Sequence, residues 1–131
     1  MPLEQIYPDG LRRPPTYAPA VRVTGGRTVY LAGHTPVDID GNTVGEGDFG
    51  AQARQVYENL RITLAALGGD FSNLARMTTY VVDYTTENRA ELGTARSAAM
   101  GDSRAASTLL GVAALATPGW LIEIEAIAVF D

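Results

Sequence analysis

From Leu121 to Phe130 the chain alternates strictly, with Ile122, Ile124, Ala126, Ala128 and Phe130 on one side and Glu123, Glu125, Ile127 and Val129 on the other. Successive side chains of an extended strand point to opposite faces, so this stretch is a strand with one wholly apolar face. That face must be buried against a second layer. The other face is mixed, two carboxylates beside two branched aliphatic residues. A sheet built on such a strand is covered on one side and only partly wetted on the other, which predicts an oligomer that buries the second face.

The cover is legible upstream. Val56, Leu60, Leu64 and Leu67 recur at three- and four-residue spacing and predict a helix, with Asp48 as its N-cap and Gly68-Gly69 as its stop. Thr86 to Met100 reads as a second, weaker helix interrupted by Gly93. Val21–Thr24 and Thr28–Ala32 read as strands joined in a hairpin at Gly25-Gly26. Residues 36–50 form a long loop. Met77–Val82 and Thr108–Leu115 complete the strands. The first 15 residues, rich in Pro and charge, read as an arm on the surface or on a partner. The order β-β-α-β-α-β-β implies an α+β sandwich with its helices on one face of the sheet. At 131 residues it is one domain, residues 1–131.

Composition excludes several chemistries. There is no Cys, so thiol nucleophiles, disulfides and thiolate-bound metals are out. All ten basic residues are Arg, so no lysine Schiff base or P-loop lysine exists. His34 is the one histidine, which removes a multi-histidine metal site, and neither metal nor cofactor is expected. A net charge of −5 with scattered arginines disfavours a nucleic-acid partner. The first residues lack a signal-peptide pattern and no apolar run approaches a membrane span, so no membrane partner is expected and the cytoplasm is the expected compartment. Gly45-Glu46-Gly47-Asp48-Phe49-Gly50 matches G-x-G-x-x-G. No buried strand precedes it, however, and Glu46 and Asp48 would repel a pyrophosphate.

Tyr17-Ala18-Pro19-Ala20-Val21, Ala32-Gly33-His34-Thr35-Pro36, Gln52 through Asn59-Leu60, Asn73-Leu74 and Ile122-Glu123-Ile124-Glu125-Ala126-Ile127-Ala128 occur in an order and spacing that resembles the Rid (reactive intermediate deaminase, YjgF-like) family. The likeness runs from about Tyr17 to the C-terminus. It implies a chorismate-mutase-like sandwich, a six-stranded mainly antiparallel sheet with two helices on one face. It also implies a homotrimer whose inter-subunit clefts hydrolyse small enamines or imines to ketones and ammonia. Family members have also been labelled endoribonucleases and translation inhibitors. The family's deaminases carry a Pro-Ala-Arg-Ser/Thr run whose Arg holds a substrate carboxylate, and that run aligns with Ala105-Ala106-Ser107-Thr108. The Arg position is therefore Ser107. A hydroxyl cannot replace a charged, forked guanidinium. The sequence thus resembles a branch without that anchor, with a substrate free of a carboxylate or with Arg104 or Arg96 standing in. Surface or inter-subunit ion pairs are the simpler reading of those two arginines.

Glu123 is the candidate catalytic group, because one carboxyl can activate a water and then return the proton to nitrogen. The plain alternative is a solvated strand carboxylate beside Glu125. Gly33 allows close approach of a ligand. His34 either donates to that ligand or is a satisfied turn residue. Tyr17 either walls the cleft or merely packs. Ser107 and Thr108 offer hydroxyls where the Arg is missing. Trp120 is either a pocket wall or an interface aromatic.

Overall fold

The computed structural model describes residues 2–131. Its first strand, β1 (Leu3–Ile6), pairs antiparallel with β2 (Ala20–Val23) as a separate two-stranded sheet. The main sheet has four strands in the order β3-β6-β4-β5, from β3 (Arg27–His34), β4 (Leu74–Val82), β5 (Ala106–Val112) and β6 (Ile122–Phe130). β6 runs antiparallel to both neighbours, while β4 and β5 are parallel. The helices are α1 (Phe49–Ala66), between β3 and β4, and α2 (Thr86–Met100), which crosses from β4 to β5. The α+β expectation holds, with both helices on one face. The six strands divide as four plus two rather than forming one six-stranded sheet.

Two local differences explain that division. β2 and β3 do not pair across Gly25-Gly26; β2 turns back onto the N-terminal arm and β3 onto β6. Gly26 has φ +78°, and a Cβ there would meet the Phe130 carbonyl oxygen at 2.6 Å. The glycines therefore pass the chain closely over the end of β6 from one sheet to the other. Leu3–Ile6, expected as an arm, is a strand carrying the exposed cross-strand ion pair Glu4–Arg22 at 2.9 Å.

The helices follow their sequence signals. Asp48 caps α1 by accepting from the Ala51 N–H at 3.1 Å. Val56, Leu60 and Leu64 are fully buried against Leu31, Met77, Val81, Ile122, Ile124, Ala126 and Ala128. Each such side chain contributes about 1.5–3 kcal/mol of hydrophobic stabilisation. Thr85 and Asn88 form a reciprocal capping box at the start of α2. No helix among the described residues is long and apolar enough to cross a membrane.

Gln52 is the one fully buried polar side chain in α1. Its amide donates to the carbonyls of Gly45 and Gly119 at 3.1 and 2.9 Å, and its carbonyl oxygen accepts from the Leu121 N–H at 2.8 Å. One side chain thus ties two loops to the position from which β6 starts, two residues before Glu123.

Candidate active site

Glu123 lies on the helix-free face of the sheet, beside Tyr80 in the β4–β6 register. Gly33 of β3 passes directly under it: a Cβ built on Gly33 would overlap the Glu123 carboxylate and lie 2.8 Å from its Cδ. The space that the missing side chain leaves is therefore filled by Glu123 itself. Neighbouring groups on this face are polar. Tyr80 donates to Glu125 at 2.6 Å, and that bond raises the phenol's pKa. Thr108 Oγ1 accepts from Arg76 at 2.9 Å. Around them Tyr30 is 77% and Leu110 44% exposed, a large apolar exposure for residues in a sheet.

A separate cleft of about 450 Å³ opens on the other side, between residues 15–17, the inner face of β4 and β5, and α2. Tyr17 and Ser107 line it, as do Tyr57, Arg89 and Arg96. Arg96 is half-buried and donates through one terminal nitrogen to the carbonyls of Thr16 and Ser103, which fastens the arm to the turn after α2. Its pKa is lowered, first by burial and then by Arg104. Tyr57 is buried, and burial holds its hydroxyl protonated well above the ordinary phenol range.

The candidates therefore divide. Tyr17 and Ser107 share the cleft, whereas Glu123, Gly33 and Thr108 belong to the opposite face. One copy of the chain does not bring Glu123 and Ser107 together. His34 stands apart from both groups. Its Nδ1 lies 2.7 Å from the Ala32 carbonyl and its Nε2 2.7 Å from Thr63 Oγ1. A carbonyl only accepts, so Nδ1 carries a proton, while the Thr63 hydroxyl serves Nε2 as donor or acceptor. Both ring nitrogens are engaged, Nδ1 within β3 and Nε2 in fastening the end of β3 to α1. Trp120 lies outside the cleft and donates to Thr43 Oγ1 at 3.2 Å. Arg104 bonds the Gly101 and Ser103 carbonyls and faces a different groove with Gln5, Tyr7 and Arg13. Arg89 and Tyr57 were not foreseen, although Arg89 and Arg96 sit seven residues apart on one predicted helix, a spacing that puts both on one side.

The sequence profile described as endoribonuclease L-PSP matches residues 11–130. The chain belongs to that family, the Rid or YjgF-like proteins. A crystal structure of the Rid-family protein YyfB from Yersinia pestis is similar over 99% of this chain and 100% of that one, with 34% identity and a TM-score of 0.91. A RutC family protein of Pyrococcus horikoshii is 30% identical over 126 residues, 95% of this chain and 96% of its own. The 3-aminoacrylate deaminase RutC of Acinetobacter baylyi is 37% identical over 75 residues, 56% of this chain and 58% of that protein.

Proposed function

We propose that this Rid-family protein is a homotrimeric deaminase that hydrolyses small enamines or imines in clefts between its subunits. The Glu123 carboxylate, packed on Gly33 of a helix-free and partly apolar sheet face, is the observation that carries this reading. A neighbouring copy laid on that face would bury Tyr30 and Leu110 and bring its own Tyr17 and Ser107 toward Glu123. An enamine first tautomerises to the imine. Glu123 then takes a proton from water as the oxygen attacks the imine carbon. It returns that proton to nitrogen to complete the carbinolamine, then carries the carbinolamine hydroxyl proton to the amine as the C–N bond breaks, and ketone and ammonia leave. Membership of the family and the likeness to a 3-aminoacrylate deaminase support the reaction class.

Ser107 stands where the family's deaminases carry Arg, so β5 offers no guanidinium to a substrate, and we place the chain in a divergent branch on that ground. The same substitution favours a second reading, a trimeric metabolite-binding or regulatory module without turnover. Timed ketone release from enzymatically generated imines separates the two. The deaminase reading expects turnover well above buffer that is lost in Glu123→Gln. Turnover at the buffer rate with saturable ligand binding would establish the module, and a Glu123→Gln variant as fast as wild type would refute the mechanism.

A further inference from the structure

The serine at 107 taken alone argues for an uncharged substrate; the wall opposite it argues the reverse. Arg89 and Arg96 lie seven residues apart on α2, about 10 Å along its axis, on the side that faces the cleft. Arg96 is at the inner part, half-buried, and Arg89 is exposed. No Asp or Glu lines the cleft, and neither arginine forms an ion pair among the described residues. A partly buried guanidinium without a counter-charge carries a desolvation cost that an anionic ligand would offset. Arg96 commits only one terminal nitrogen to carbonyls, which leaves its remaining N–H groups for a ligand. Tyr57 places a protonated hydroxyl in the same cleft, and that hydroxyl donates to no protein group among the described residues. Between the arginines lies Gly93, through which the helix runs unbroken; a Cβ there would touch nothing within 4 Å and its backbone does not require glycine. A helix-interior glycine lowers helix stability. Its effect here is to keep the cleft floor open.

We propose that this cleft binds a substrate bearing a carboxylate, with Arg96 of α2 as the anchor in place of a guanidinium at position 107 and Arg89 attracting the anion at the mouth. The inference deepens the deaminase reading by naming its substrate class. It also answers why Ser107 is tolerated: the positive charge has moved from the strand to the helix that faces it.

Pyruvate and its uncharged methyl ester are the probes, titrated into the full-length protein by ligand-observed NMR at low and high salt. Pyruvate is expected to bind saturably and more tightly than the ester, with an affinity that falls as salt rises. Arg96→Gln should weaken pyruvate binding about tenfold or more, with partial recovery in Arg96→Lys. Arg89→Gln should weaken it less and flatten the salt dependence. Because Arg96 also fastens the arm, the exposed Arg89→Gln and the wild-type salt series carry the test if Arg96→Gln does not fold. Equal binding of pyruvate and its ester, or pyruvate affinity indifferent to salt and to Arg89→Gln, would overturn the proposal. Carboxylate-selective binding without imine turnover supports this anchor and sinks the deaminase. Imine turnover indifferent to a carboxylate does the opposite.

Discussion

Replacing Gly33 by alanine separates the fold from the chemistry proposed for it. The new methyl would overlap the end of the Glu123 side chain and lie 2.8 and 3.1 Å from its Cδ and Cγ. What must move is the far end of a flexible side chain rather than backbone. The displaced glutamate costs about 0.5–1.5 kcal/mol if it is driven off its preferred rotamer. Alanine in place of glycine returns roughly 0.4–1 kcal/mol by restricting the unfolded chain, since Gly33 does not occupy the left-handed region. The net change in stability is therefore within about 1 kcal/mol. The carboxylate, however, moves by a distance comparable to a C–C bond, and a displacement of about 1 Å in a catalytic group is worth about 100-fold in rate. Urea unfolding paired with timed ketone release from a generated imine reads both quantities. An unchanged midpoint with turnover reduced on the order of 100-fold is expected. Normal turnover in a folded Gly33→Ala would show that the position of Glu123 does not matter to the reaction.

Other outcomes follow from the same contacts. Gln52→Leu leaves the Gly119 carbonyl and the Leu121 N–H without a partner, while the Gly45 carbonyl keeps the Asp48 N–H. It should cost roughly 2–4 kcal/mol, read as a lower urea midpoint, because each buried unsatisfied group costs about 1–3 kcal/mol and the loop carbonyl can regain water. Gly93→Ala should raise stability by about 0.5–1 kcal/mol while narrowing the cleft and weakening pyruvate binding, measured by thermal melting and titration. His34→Ala should lower stability by about 1 kcal/mol through loss of its bonds to Ala32 and Thr63, and should leave the shape of the pH–rate profile unchanged. Asp70 is held below its ordinary value of 3.8, first by the Ser72 hydroxyl and then by its N–H. A depressed carboxylate contributes stability that is present above pH 3.8 and lost as the pH falls through its folded value. Asp70→Asn should therefore reduce stability at neutral pH and flatten its decline in acid, as acid titration followed by circular dichroism would show.

Much of the architecture could be read because its signals are local. Asp48, the spacing of Val56, Leu60 and Leu64, and Gly68-Gly69 each act within a turn or two, and α1 falls where they place it. α2 runs from Thr86 to Met100 as expected, but unbroken at Gly93, because one helix-interior glycine only weakens a helix that packs on α1. The strand pairing was not legible in the same way. Gly25-Gly26 carries hairpin chemistry, but β6 competes for β3 over eight residues and Leu3–Ile6 is available to β2. That competition is long-range and leaves no mark in the turn. The site was half legible for a related reason. Alternation puts Glu123 on the face opposite Ile122 and Ile124, but only the register of β5 on β4 shows that Ser107 shares Met77's side. Arg96 reads as a surface residue until the arm residues 15–17 are seen to fold over it.

The most direct measurement mixes two inactive variants. Glu123→Gln keeps an open cleft, and Ser107→Phe keeps Glu123 but fills the cleft. Co-assembled subunits should recover a fraction of wild-type ketone release, because some interfaces then pair an intact carboxylate with an open cleft on its neighbour. Activity in the mixture no greater than that of the two variants alone would contradict a site shared between copies.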